Sequence, residues 1–373
     1  MPLDLSLEET RAWMTLLRAP GLGATGIRAL LEQHGSASAS LDAARRERGT
    51  PDSARAWLAA PDAAMLEADQ RWLDVPDQHL IVCTSADYPA LLRATPYAPA
   101  ALFVVGAPTC LWSPQIAIVG ARSATTGGIA NARAFAAEFA RVGNVVTSGL
   151  AEGIDAAAHE GALEAGGQTI AVLGTGPDVV YPRRHEDLAA RIRASGALVT
   201  EFPPGTAGKP DHFPRRNRII AGLSLGTLVV EASLKSGSLI TARLAAEQGR
   251  EVFALPGTIH SPLARGCHKL IRDGAKLVET AQEVLEELRG VGGLLAEGLR
   301  RRIDAAENTH DAAPAVHTRD PDYARLLAAL DIPLALDELA LRTGLGAAAL
   351  SSMLLVLELD GVVSAENGRY AKR

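Results

Sequence analysis

Between His79 and Leu255 short apolar runs alternate with stretches whose apolar residues recur at the helical period. Ile116–Val119, Val145–Thr147, Thr169–Leu173, Leu198–Glu201, Leu228–Glu231 and Val252–Leu255 are bounded by turn residues and predict strands. Gly127–Val142, Ile154–Ala165, His185–Ala194, Arg218–Gly222 and Leu239–Gln248 fall between them and predict helices. Two further runs, His79–Cys83 and Leu102–Val105, precede the series, separated by the proline-rich DYPALLRATPYAPA. Apolar strands that alternate with helices are buried on both faces, as in a parallel sheet with helices above and below. The pattern therefore predicts an α/β fold, a doubly wound, Rossmann-like sheet over residues 79–290.

The flanks differ. Residues 1–78 carry little β-branched sequence and read as a helical domain. Glu8–Leu17 sets Trp13, Leu16 and Leu17 at helical spacing, Pro20-Gly21-Leu22-Gly23 interrupts the period, and Ile27, Leu30 and Leu31 resume it. Such a hairpin either offers backbone N–H groups to a phosphate or is a plain helical turn. Residues 291–320 become Ala-, Pro- and charge-rich, as linkers do, with 294–305 a candidate helix. Residues 321–373 predict three helices, Tyr323–Leu330, Leu336–Thr343 and Ala347–Leu359, then a hairpin over Gly361–Tyr370 with an Asn367-Gly368 turn. That is the outline of a winged helix. Its third helix has almost no basic residues, which suits a protein contact at least as well as a DNA groove.

Composition narrows the picture. A chain of 373 residues, 47% hydrophobic and 21% charged, has the balance of a soluble protein of two or three domains. No apolar run approaches the roughly 18 residues that cross a bilayer, and the acidic start lacks a leader's basic region, so a cytoplasmic protein is expected. Cys83, Cys110 and Cys267 are widely spaced and odd in number, fitting neither a disulfide framework nor a zinc site. No cluster of acids has metal-site spacing, which argues against magnesium-dependent strand cutting. The net charge of −6 excludes a surface that coats nucleic acid all over, but leaves room for a local basic groove.

One stretch reverses the sign. In KPDHFPRRNR, Lys209, Arg215, Arg216 and Arg218 stand against a single acid, Asp211, with Phe213 among them, and the strand that follows places them at the mouth of the sheet. An aromatic between cations either belongs to the core or stacks on a base whose phosphates the cations neutralise. Asn217 either reads a base edge or ties the loop. At 4% aromatic, the chain has no long stacking platform.

Several turns at the carboxyl ends of strands add to this rim. Gly120–Gly128, with Arg122 and Ser123, opens a helix and is read either as a phosphate-binding turn or as a tight turn with a surface arginine. Asp155 and His159, four apart, form either a metal or acid/base pair, or a helix-start cap beside a packed histidine. Lys235, Ser236, Gly237 and Ser238 either continue the anion track or cap the helix of Leu239.

The blocks IAIVGARSAT, VTSGLAEGIDAAAHEGALEAGGQTIAVLGTGPDVVYP, FPRRNRIIAGLSLGTLVVEASLKSGSLITARLAAEQGREVFALPG and RGCHKLIRDGA resemble, in order, the DprA/Smf DNA-processing proteins. The resemblance covers about residues 79–290, and the helical N-terminal unit (SAM- or helix-hairpin-helix-like) and C-terminal winged helix match that family's flanks. It implies a non-enzymatic, cofactor-free protein that binds single-stranded DNA, protects it during natural transformation and loads the RecA recombinase. It also implies a homodimer joined through the Rossmann-like domain. Carried onto this chain, the contacts are Arg122 and the loop through Phe213, Arg215, Arg216, Asn217 and Arg218, with Lys209 ahead of it. His185 stands where the family often has asparagine.

The expected mechanism has Arg122, Arg215, Arg216 and Arg218 neutralising phosphates while Phe213 stacks on an unpaired base, giving a salt slope of about −3 to −3.5. Two rivals belong to other classes. A nucleoside monophosphate phosphoribohydrolase would carry P-G-G-x-G-T-x-x-E, of which Gly222–Glu231 is a distant echo without the paired glycines. A duplex-DNA regulator would act through the winged helix.

Overall fold

The computed structural model describes residues 5–46, 49–289, 321–330, 334–346, 350, 353–354, 357, 363–366 and 369–372. Its contacts gather into two compact units, Met1–Gly293 and Leu294–Arg373. The predicted linker, 291–320, lies outside the described residues.

Five helices open the first unit: α1 Leu7–Leu17, α2 Gly23–His34, α3 Ala37–Arg46, α4 Asp52–Ala59 and α5 Ala63–Leu73. Ser6 caps α1 by accepting from Glu9 N at 3.2 Å, and Asp62 caps α5 by accepting from Met65 N at 3.1 Å. Trp13, Leu16, Ile27, Leu31, Leu41 and Leu58 form their core, which continues onto Val82 and Ala101 of the sheet. Arg18 clamps Asp69 and also donates to the Pro204 carbonyl at 2.8 Å, tying these helices to a loop beyond the sheet.

The sheet follows: β1 Gln78–Val82, α6 Ala90–Arg93, β2 Ala101–Gly106, β3 Gln115–Val119, α7 Thr126–Arg141, β4 Val145–Ser148, α8 Ile154–Glu164, β5 Thr169–Val172, α9 Glu186–Ser195, β6 Ala197–Thr200, α10 His212–Leu223, β7 Gly226–Val229, α11 Ser238–Glu247, β8 Glu251–Ala254, α12 Arg265–Arg272, β9 Lys276–Leu277 and α13, residues 281–289. The strands make one nine-stranded sheet, ordered β1-β2-β6-β5-β4-β3-β7-β8-β9. Pairing is parallel from β6 to β9 and antiparallel for β1 with β2 and β2 with β6.

Strand alternation sorts the two faces. Ala117, Val119, Ile170, Val172 and Val199 meet Ile219, Ile220 and Leu223 of α10 and Ala242 of α11, while Ala171, Leu173 and Leu198 meet Leu188 and Ile192 of α9 on the other side. All of β3 is buried, and its one polar residue is satisfied: Gln115 donates to Leu111 O at 3.0 Å and accepts from the Thr147 hydroxyl at 2.7 Å. From β3 the chain moves outward through β4, β5 and β6, then returns to place β7 on β3's other side. The switch point therefore lies between the carboxyl ends of β3 and β7.

The second unit contains α14 Pro321–Ala329, β10 Leu334–Ala335, α15 Leu336–Thr343, β11 Val363–Glu366 and β12 Arg369–Lys372, with strand order β10-β12-β11. Leu326, Leu339, Leu350, Leu354, Leu357 and Val363 form its core. The β11–β12 pair is the predicted hairpin, although Asn367 and Gly368 lie outside the described residues, as does much of the third predicted helix.

Candidate functional site

A crevice of about 660 Å³ opens at the switch point. The β3 turn contributes Gly120, Ala121, Arg122 and Ser123 to its lining, and the segment after β7 contributes Ser233, Ser236, Gly237, Ser238 and Thr241. One stripe of α10, Phe213, Arg216, Asn217 and Ile220, forms a wall at the i, i+3, i+4, i+7 spacing of a helix face.

That helix corrects the sequence expectation. The basic stretch read as a mouth loop running into a helix at Arg218 is already helical from His212. Pro214 sits in the first turn, where a missing N–H leaves no intrahelical bond unmade. Helical geometry then sends the arginines in different directions. Arg122 is exposed, lines the crevice and has no ion-pair partner among the described residues. Arg216 is buried, only 5% exposed. Its Nη1 donates to Gly149 O at 2.5 Å and to Val172 O, at the carboxyl ends of β4 and β5. Burial pushes the guanidinium down to about 10, with nearby Asp155 opposing the shift and Arg122 adding to it.

Arg215 and Arg218 are absent from the crevice lining. Both donate to Oε2 of the buried Glu201, each at 2.7 Å. The Arg218 side chain is 12% exposed, whereas that of Arg215 is 48% exposed and lies 5.4 Å from the Phe202 ring centroid. Arg218 is thus anchored inward, and its burial lowers its pKa against the pull of Glu201. Lys209 is exposed on the loop before α10 and also lies outside the lining. Lys235 is exposed and lines a neighbouring cavity of about 640 Å³ that shares Ser236 and Ile240 with the crevice.

The phosphate-turn reading of Gly120–Gly128 meets an obstacle at the helix start. The Thr125 backbone N–H and hydroxyl donate to the carboxylate of Glu231 at 2.9 and 2.6 Å, and Thr125 Oγ1 accepts from Gly128 N. A β-carbon at Gly128 would stand 2.5 Å from Cδ of Glu231, so the protein's own carboxylate occupies the place a phosphate would take.

Asp155 and His159 follow the plainer of their two readings. Asp155 accepts from Gly149 N at 3.1 Å and Ala151 N at 3.4 Å. Its carboxyl is raised by burial, with Arg216 and these N–H groups acting against the shift. His159 Nδ1 lies 2.7 Å from the Thr169 hydroxyl, which donates its one proton to Val146 O at 2.6 Å, so Nδ1 carries the imidazole proton. Burial brings His159 down to about 3, with the charges of His185 and Arg216 adding to it. Among the described residues no group of three or more His, Cys, Asp or Glu is placed to hold a metal ion. His185 holds the Leu150 carbonyl at 2.9 Å.

Asn217 donates to Gly237 O at 3.4 Å, and Ser236 Oγ lies 2.7 Å from Ser238 Oγ while accepting from Ser238 N at 3.3 Å, so these residues tie the start of α11 as well as line the crevice. Tyr181, which the sequence did not single out, also lines it and is 52% exposed, beside Phe213. An aromatic in the connection between a strand's carboxyl end and the next helix, within a chain so poor in aromatics, was the available signal. At the N-terminal hairpin, Gly21 has φ +79° and its Cβ position lies 3.7 Å from Pro51 and Ser53, so the start of α4 packs against the turn.

The family model described as DNA recombination-mediator protein A matches residues 79–289, the DprA winged helix domain matches 310–369, and the DprA-like N-terminal HHH domain matches 7–63. Protein Smf of Escherichia coli is 45% identical over 309 residues, 82% of this chain and 80% of that protein. The solved structure of DNA processing protein A from Streptococcus pneumoniae is 37% identical, with a TM-score of 0.67 over 74% of this chain and 97% of its own. That of Helicobacter pylori, solved for insight into its single-stranded DNA binding mode, is 29% identical, with a TM-score of 0.50 over 54% of this chain and 92% of its own.

Proposed function

The chain belongs to the DNA recombination-mediator protein A family, and we propose that it binds single-stranded DNA along the switch-point crevice without changing it chemically. The observation that carries this reading is the meeting, in one crevice, of the exposed Arg122, the aromatic Phe213 and the hydroxyl and amide groups of Ser123, Asn217, Ser236 and Ser238. Lys209 and Lys235, exposed beside it, extend the positive rim, and Arg215 joins it from the Glu201 pair. Arg216, part of the wall, is tied to the ends of β4 and β5, and Arg218 anchors the helix from behind through Glu201. Phosphates are drawn by Arg122 and the lysines, and an unpaired base reaches the aromatic edge that a closed duplex cannot offer.

The same proposal carries the family's role: protection of incoming DNA and loading of RecA during natural transformation, in the cytoplasm, by a homodimer joined through the Rossmann-like domain. The sheet edge supports the dimer, since among the described residues β9 pairs with β8 alone and its Leu277 is 50% exposed. No helix among the described residues is long and apolar enough to cross a membrane. Asp155 reaches the crevice lining with its carboxylate accepting from Gly149 N and Ala151 N, and His159 is buried against the Thr169 hydroxyl. Titrating a labelled oligonucleotide, single-stranded and as the matching duplex, tests the reading. Tight binding of the single strand alone supports it, and equal or tighter duplex binding removes it.

A further inference from the structure

Phe213 is backed by the protein on more than one side. A β-carbon at Gly174 would stand 2.8 Å from its Cδ1, and one at Gly208 would stand 3.5 Å from its Cζ, so two glycine backbones seat the ring. Tyr181, from the loop after β5, lies beside it with centroids 5.2 Å apart and planes tilted by 42°. Phe213 is half-buried in consequence, whereas Tyr181 keeps 52% of its surface in water. Both line the crevice.

An aromatic left half in water forgoes part of its burial energy, yet this one is propped by a ring that is itself fixed. A propped ring loses little conformational freedom when a ligand arrives. Taking the crevice as a single-strand site, a premise on which this step rests, the geometry points to Tyr181 as the residue that presents a stacking face to an unpaired base. Phe213 is the ring that holds it in position. The working face thus comes from the β5 loop, and α10 supplies its support.

The experiment compares an oligothymidylate with an abasic strand of equal length, which keeps the phosphates and lacks the bases, against the wild type and Tyr181→Phe, Tyr181→Leu and Tyr181→Ala. Tyr181→Phe should bind the oligothymidylate like the wild type. Tyr181→Leu, which preserves bulk and apolar packing, and Tyr181→Ala should each lose roughly tenfold, the weight of one stacked base. Neither should lose affinity for the abasic strand. Wild-type affinity in Tyr181→Leu, or an equal loss on both strands, overturns the assignment to Tyr181 while leaving the crevice reading standing. If the wild type binds neither strand, the crevice reading itself fails, and this inference with it.

Discussion

Arg216 Nη1 lies 2.5 Å from the carbonyl oxygen of Gly149, and a β-carbon on that glycine would stand 2.5 Å from the same nitrogen. The arginine therefore lies against bare backbone, where it binds the ends of β4 and β5 to α10. Gly149→Ala should push the guanidinium away and cost about 1–3 kcal/mol as an overpacked site. Arg216→Ala should also destabilise, since it leaves the buried carbonyls of Gly149 and Val172 without their donor, at about 1–3 kcal/mol for an unsatisfied buried group. Urea unfolding of both variants checks this, and a full-strength fold in Arg216→Ala would contradict a structural role for the arginine.

Arg218 and Arg215 share one oxygen of Glu201, but only Arg215 has a side chain half open to solvent. Arg218→Ala should lower the unfolding midpoint and leave the single-strand affinity of the folded protein unchanged. Arg215→Ala should weaken binding modestly with little loss of stability. A large affinity loss confined to Arg218→Ala would return that residue to the DNA face.

His159 gives stability a pH dependence. Its folded pKa, about 3, lies below its ordinary 6.5, so between those values the unfolded chain binds more protons and stability falls as pH falls. The slope attributable to this residue is about 1.4 kcal/mol per pH unit at most. His159→Asn, which keeps a donor toward Thr169, should lack that slope. Urea midpoints at pH 7 and pH 5 for the two proteins measure the difference.

The alternation from β3 to β8 was legible because each strand carries a short apolar run and each run is separated from the next by a helical period, so the parallel sheet followed from period, whereas the strand order that sets the switch point did not. The start of α10 was hidden by two residues. Pro214, a residue that breaks helix interiors, occupies the first turn, and Arg216 fills an apolar position: with Ile219, Ile220 and Leu223 it completes an i, i+3, i+4, i+7 buried stripe. Charge counting placed four cations on one surface, while the helix turned Arg216 against the ends of β4 and β5 and set Arg215 and Arg218 on Glu201. The carboxylate of Glu231 at the start of α7 was invisible for another reason, since it joins residues 106 positions apart.

The central claim, that free cations on the crevice rim grip an unpaired strand, is tested most directly by the salt dependence of single-strand affinity. Arg122, Lys209 and Lys235 have no ion-pair partner among the described residues, and Arg216 and Arg218 are withdrawn. Log affinity against log salt should therefore fall with a slope of about −2, or about −2.8 where the half-open Arg215 also leaves Glu201 for a phosphate, shallower in either case than the −3 to −3.5 expected from four to five neutralised phosphates, and Arg122→Ala should reduce its size by about 0.7. A slope near zero, or an Arg122→Ala variant with the wild-type slope and affinity, would contradict it.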